Sequence, residues 1–314
     1  MEKKSFGTCT IEAPCKINLH LAIGKRRNDG FHSIESIFAT LAFSDTLRLE
    51  FTGFDGETRL FTNWETQAEE IPDEKNLIVR AISLFREQTG IKKGLIVRLD
   101  KRIPLGSGLG GGSSDAAAAL LALNLLSGKA LSMQGMREMA LVLGSDVPFF
   151  LTGGTAFVSG RGETVEPVKS PGRFWVVLVK PPFKSDTAAA YGLLDRFRKQ
   201  GVIEEKEAIP RETLLCSLQG DSEKWPFFND FLPVFCREQS ASAAAYRGIL
   251  GSLRGSGASF AGLSGSGSCC FGVFGTKDAA EKASERLRPG GSQKERNNVI
   301  STFFLAQRAD PVLE

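Results

Sequence analysis

Five glycines crowd into seven positions near the middle of this chain, in Pro104-Leu105-Gly106-Ser107-Gly108-Leu109-Gly110-Gly111-Gly112-Ser113-Ser114-Asp115, and four alanines follow directly. Without a Cβ the backbone can turn tightly there and come close to a ligand. Upstream, Leu95, Val97 and Leu99 alternate with polar residues, which predicts a strand. Downstream, residues 114–126 read as a helix that Ser127-Gly128 stops. A strand, a glycine loop and a helix in series place unpaired N–H groups and the positive end of a helix dipole at the loop, which suits phosphate. Ser113 and Ser114 can cap the helix, bind phosphate oxygens or help place a metal.

Other phosphate loops are excluded. No G-x-x-x-x-G-K-S/T pattern occurs, so this is not a Walker A loop. Gly106, Gly108 and Gly111 satisfy G-x-G-x-x-G, but residues 120–132 hold no acidic residue to bind a ribose. The H-R-D and D-F-G segments of protein kinases are missing.

The rest of the chain bounds the setting. A length of 314 residues predicts two domains and a core that needs no staples. The net charge of +3 is too small to imply a nucleic-acid or membrane surface. No run of apolar residues is long enough for a membrane span, and residues 1–7 lack the apolar stretch of a secretory signal. Six scattered cysteines with no C-x-x-C pair, beside only two histidines, argue against zinc and for reduced thiols in a cytoplasmic protein. Nothing in the sequence marks an obligate protein partner.

Strands are expected at residues 8–23, 34–43, 46–51, 155–158, 174–179, 269–274 and 299–304. Ser44-Asp45 separates two of them, and residues 44–64 have room for a hairpin. Helices are expected at 76–88, 132–143, 187–199, 240–253 and 277–287, with loops around a short helix at 200–222. Strands and helices mix without strict alternation, so the class is α+β. The division into domains is set near Gly160, giving 1–160 and 161–314.

Two more motifs flank the loop in order. Ala13-Pro14-Cys15-Lys16-Ile17-Asn18-Leu19 precedes it, and Gly262-Leu263-Ser264-Gly265-Ser266-Gly267-Ser268-Cys269 follows. The ordered set resembles the GHMP kinases. Asp29-Gly30-Phe31-His32-Ser33, Asn76-Leu77-Ile78-Val79-Arg80-Ala81, Asp100-Lys101-Arg102-Ile103-Pro104 and Leu143-Gly144-Ser145-Asp146-Val147-Pro148-Phe149-Phe150 are similar to one branch of that family. That branch acts on 4-diphosphocytidyl-2-C-methyl-D-erythritol, a cytidine-diphosphate-linked sugar alcohol. The similarity runs from about residue 10 to 190 and resumes near 262.

The resemblance implies a two-domain α+β GHMP kinase fold with the active site in the interdomain cleft, and ATP-dependent phosphorylation of the substrate's 2-hydroxyl. By the same resemblance Asp146 would be the base and Lys16 would neutralise charge developing between phosphate and hydroxyl. Asn18, on Lys16's face of the strand, would orient the substrate or Lys16. Residues 104–114, with Asn76, Leu77 and Lys101, would hold ATP. Phe31 and Tyr191 would sandwich the cytosine and His32 would bond its edge, with Thr187, Ser264, Gly265 and Gly267 also at the substrate. Mg²⁺ would accompany ATP, with its protein ligands unassigned.

Two residues depart from the family pattern: Phe31 stands where tyrosine is usual, and Cys15 where a small residue such as alanine is usual. The runner-up is a sister enzyme such as homoserine or mevalonate kinase, which would not need Phe31, His32 and Tyr191. A silent nucleotide-binding regulator would have lost Asp146 or Lys16, and both are present.

Overall fold

The structure, a computed structural model, describes residues 7–53, 56–63, 75–238, 241–288, 298–305 and 310–313. Two long strands organise it. β1 (Thr8–Arg26) and β2 (His32–Thr52) pair antiparallel along nearly their whole length. The ladder is interrupted between Pro14 and Lys16 and again between Asn18 and His20. Such irregularities re-aim side chains, and these two bracket Lys16 and Asn18. β1 also joins two cores. Ile11, Ala13, Leu21 and Ile23 pack into one, and Cys15, Ile17 and Leu19 into the other.

β3 (Thr58–Thr62), α1 (Leu77–Thr89) and β4 (Gly94–Asp100) come next, and β4 pairs with both β2 and β3. The hairpin expected within residues 44–64 is therefore corrected. β2 runs straight through Ser44-Asp45, and β3 lies parallel to β4 beyond it. Asp45 does not turn the chain because its fully buried carboxylate is satisfied by Lys101 and by the backbone N–H groups of Arg102 and Ile103. Trp64, the end of that expected stretch, lies outside the described residues, as does Ser240.

The glycine loop leads into α2 (Gly111–Leu126), which is wholly buried from Ser114 to Leu120. Its alanines allow the helix to lie close against β1 and β2. α3 (Met133–Leu143), capped by Ser132, puts Met136, Met139 and Ala140 into the core, whereas Met133, expected on the same apolar stripe, is exposed in the first turn. α4 (Val147–Thr152) is a short helix absent from the sequence reading, with Pro148 in its first turn. β5 (Thr155–Gly160) pairs with β2 and with β6 (Thr164–Val168), so a division at Gly160 would cut a hairpin of the first sheet. The change of sheet comes after Val168.

β7 (Trp175–Lys180), α5 (Thr187–Lys199), α6 (Arg211–Leu218), α7 (Phe231–Arg237) and α8 (Ala241–Gly255) follow. The chain continues through β8 (Phe260–Leu263), β9 (Cys270–Phe274), α9 (Lys277–Leu287), β10 (Asn298–Phe303) and β11 (Val312–Leu313). Among the described residues the second sheet has the order β10-β7-β9-β8, while β11 returns to pair with β1 in the first sheet. No described helix is long and apolar enough to cross a membrane.

Candidate active site

A cleft of about 670 Å³ lies between the first sheet with its glycine loop and α5 and α7 of the second half. Lys16 and Asp146 meet in it. The Lys16 ammonium sits 3.3 Å from an Asp146 oxygen, with the lysine side chain 5% exposed and the aspartate 33%. That asymmetry leaves the carboxylate reachable while the cation is held within the wall. Lys16 Nζ also donates to Asn18 Oδ1 at 2.7 Å and lies 4.5 Å over the Phe38 ring. Asn18 Nδ2 donates to Ser36 Oγ at 3.0 Å, and Ser36 in turn donates to the His20 carbonyl. Of the two roles open to Asn18, holding Lys16 is the one the geometry displays. Asp146 stands at the N-cap position of α4, yet its side chain caps nothing.

The glycine loop faces the same cleft. Gly110 is the N-cap of α2 with φ 72° and no side-chain cap bond, so the first helical N–H groups are left for a ligand. A Cβ on Gly108 would fall 2.2 Å from the Ser264 carbonyl oxygen, so only glycine permits the third motif to pack there. Ser264 Oγ donates to the Gly108 carbonyl at 2.9 Å, and Lys16 N donates to the Leu109 carbonyl at 2.9 Å. Thus all three motifs come together by direct contact. Gly265 and Gly267 both have positive φ in the turn over the loop, and Gly265 lies in the cleft wall. Ser107 Oγ is used within the loop, on the Pro104 carbonyl at 2.6 Å. Ser114 Oγ is buried without a hydrogen-bond partner, and Ser113 is half-buried beside it.

At the other end of the cleft the rings are arranged differently from the expected sandwich. His32 and Tyr191 stack on each other, centroids 4.9 Å apart and planes 16° from parallel. His32 Nε2 lies 2.8 Å from Asp195 Oδ1, which pins the imidazole. Phe31 is 54% exposed, with the Arg161 guanidinium 5.0 Å over its ring. Burial, and then the charge of Asp146, push the Tyr191 phenol up to about 12, so it stays protonated. Thr187 Oγ1 is 2.9 Å from Ser266 Oγ and ties α5 to the third motif.

The nucleotide-side residues divide. Leu77 lies beside Gly112, and Asn76 caps α1 by accepting from Ile78 N at 3.0 Å. Lys101 is not turned into the cleft: its ammonium, 4% exposed, is enclosed by Asp45 and Asp115. Asp195, Arg161, Ser36 and Asp45 were missed by the sequence reading. None stands in a quoted motif, and only folding brings them to the motif residues.

Residues 76–154 match the GHMP kinases N terminal domain and residues 234–292 the GHMP kinases C terminal. With the loop and cleft above, this makes the chain a GHMP kinase of α+β fold. It is 38% identical over 283 residues to a 4-diphosphocytidyl-2-C-methyl-D-erythritol kinase of Treponema pallidum, covering 88% of this chain and 94% of that one. A kinase of the same name from Chlorobaculum tepidum is 37% identical over 88% of this chain and 93% of its own. A crystal structure of 4-(cytidine 5'-diphospho)-2C-methyl-D-erythritol kinase superposes with a TM-score of 0.76 at 31% identity, over 94% of this chain and 98% of the other. Homoserine kinase from Cytophaga hutchinsonii shares the fold, with a TM-score of 0.71 at 17% identity over 100% of this chain and 99% of that one. The chain belongs to the 4-diphosphocytidyl-2-C-methyl-D-erythritol kinase family.

Proposed function

We propose that this protein transfers the γ-phosphoryl group of ATP to the 2-hydroxyl of 4-diphosphocytidyl-2-C-methyl-D-erythritol, giving the 2-phosphate and ADP, in the cytoplasm as a step of non-mevalonate isoprenoid synthesis. The observation that carries the reading is the Lys16–Asp146 pair, 3.3 Å apart beside the uncapped start of α2, in a chain of this family. Asp146 accepts the proton of the 2-hydroxyl as its oxygen bonds to the γ-phosphorus, and the bond to the β-phosphate oxygen breaks. Lys16, held by Asn18, faces the charge that gathers on the transferring group. The α2 N-terminus and loop N–H groups hold the phosphates of ATP, with Asn76 and Leu77 beside them.

Phe31, His32, Tyr191 and Asp195 form the end of the cleft that takes the cytidine, where a base can stack on an aromatic face. Arg161 and Arg26 line the cleft near that end and suit the diphosphate. The first sheet with its glycine loop forms one wall of this cleft, and α5 and α7 form the other. Mg²⁺ fits as a companion of ATP and not as a resident metal. Among the described residues no three His, Cys, Asp or Glu side chains group to hold one, while the unpartnered Ser114 hydroxyl lies at the first turn of α2. Bound there with ATP, the ion would neutralise phosphate charge.

The test is product formation from ATP, Mg²⁺ and the cytidyl substrate, with homoserine and mevalonate as controls. Asp146→Asn should abolish turnover while leaving ATP binding intact. Turnover of a control substrate alone would move the protein to a sister activity.

A further inference from the structure

The Asp45, Lys101 and Asp115 side chains form a buried cluster that the proposed chemistry does not use. Asp45 comes from the middle of β2, Lys101 from the residue after β4 and Asp115 from the second turn of α2. The three side chains are 0%, 4% and 4% exposed, in a protein whose lysines and aspartates are otherwise mostly at the surface. Lys101 Nζ donates to Asp115 Oδ2 at 2.6 Å and to Asp45 Oδ2. The other Asp45 oxygen accepts the N–H of Arg102 at 2.5 Å and of Ile103 at 2.7 Å.

These contacts fall on both ends of the glycine loop. Arg102 and Ile103 are where the chain enters it, and Asp115 is where the chain has left it. The ammonium also lies under the first helical residue, since a Cβ on Gly111 would come within 2.9 Å of it. The middle of the loop is held by other groups. Ser185 N donates to the Gly106 carbonyl at 3.2 Å, Cys269 N to Ser107 at 2.9 Å, and Lys16 N to Leu109 at 2.9 Å. A loop with five glycines in seven positions has high conformational freedom of its own. Its N–H groups can converge on phosphate only if both ends are fixed.

We infer that Asp45, Lys101 and Asp115 are positioning residues that clamp the two ends of the phosphate loop and thereby set affinity for ATP. The inference rests on the reading of the loop as the ATP site. Buried charge clusters often contribute little net stability, because desolvation offsets their attraction, and apolar replacements can be neutral. A positioning role therefore explains the cluster where stability does not. It also gives Lys101 a place beneath the nucleotide site in place of a direct contact with adenosine. Burial pushes the Asp115 carboxyl up, toward its neutral form. Asparagine reproduces that form's shape and keeps an oxygen to accept from Lys101, whereas leucine does not.

The experiment measures binding of a non-hydrolysable ATP analogue by calorimetry, and KM for ATP and for the cytidyl substrate, in wild type, Lys101→Met, Asp115→Leu and Asp115→Asn. Lys101→Met and Asp115→Leu should weaken analogue binding and raise KM for ATP at least about fivefold. KM for the cytidyl substrate should stay within about twofold, and Asp115→Asn should match wild type. If a single variant does not melt cooperatively, the apolar pair Lys101→Met/Asp115→Leu replaces it. Weak nucleotide binding in that folded pair supports the clamp. Wild-type affinity in folded Lys101→Met and Asp115→Leu, or in the pair, overturns it, as does a parallel loss for both substrates. A wild type that binds no nucleotide removes the ATP assignment of the loop and the clamp with it.

Discussion

Replacing Asn18 by leucine isolates the positioning of Lys16 from the chemistry of Asp146. Asn18 is 3% exposed, and its Oδ1 accepts the Lys16 ammonium at 2.7 Å. Leucine keeps the volume and removes the acceptor. A hydrogen bond to a charged group contributes about 1.5–3 kcal/mol. At about 1.4 kcal/mol per factor of ten, that corresponds to roughly 10- to 100-fold in kcat/KM if the ammonium leaves its place. Without Asn18, the described partners of Lys16 are Asp146 at 3.3 Å and the Phe38 ring. The ammonium is then drawn toward the carboxylate that must take the substrate's proton, so the loss should appear in kcat. Ser36→Ala removes the next link, a neutral contact at 3.0 Å, and should cost only a few-fold, since such bonds contribute about 0.5–1.5 kcal/mol. ADP release in a coupled assay, with KM for each substrate measured separately, gives the comparison. A folded Asn18→Leu protein with kcat within twofold of wild type would refute the assignment of Asn18 as the group that holds Lys16.

Arg161→Ala should raise KM for the cytidyl substrate roughly tenfold without changing KM for ATP, and the effect should shrink in high salt because the side chain is exposed; equal KM values in both proteins would detach Arg161 from the diphosphate. Burial, with a smaller contribution from Lys206, lowers the His20 pKa to about 4. With only two histidines in the chain, proton NMR should resolve one imidazole titrating near that value. The unfolded chain takes up this proton near the ordinary value of about 6.5, so the His20 contribution to stability should be level above that pH and fall as pH drops toward 4, by up to about 3 kcal/mol, read as the difference between wild type and His20→Asn in urea melts. A His20 that titrates near 6.5 in the folded protein would contradict its buried, neutral state.

The amino-acid sequence by itself determined the strand, glycine loop and helix, because each rests on interactions within a few residues: alternation in β4, glycine's freedom in the loop and the alanine run of α2. It also carried the three motifs, with Lys16 and Asn18 in the first, and the separate segment Leu143–Phe150 that holds Asp146, and through these the family. What it did not carry depends on partners distant along the chain. Ser44-Asp45 reads as a break between strands, since an aspartate in isolation favours turns. The fold turns it into the middle of a strand by burying it against Lys101, Arg102 and Ile103. By the resemblance His32 would bond the cytosine edge, and only the fold sets its ring against Tyr191 and Asp195. Arg161 has no local signal at all, and it joins the cleft because the β5–β6 hairpin delivers it over Phe31. Local preference is decided by a residue's neighbours in sequence, while burial and charge pairing are decided by which surfaces meet, and those exist only once both sheets have closed on the cleft.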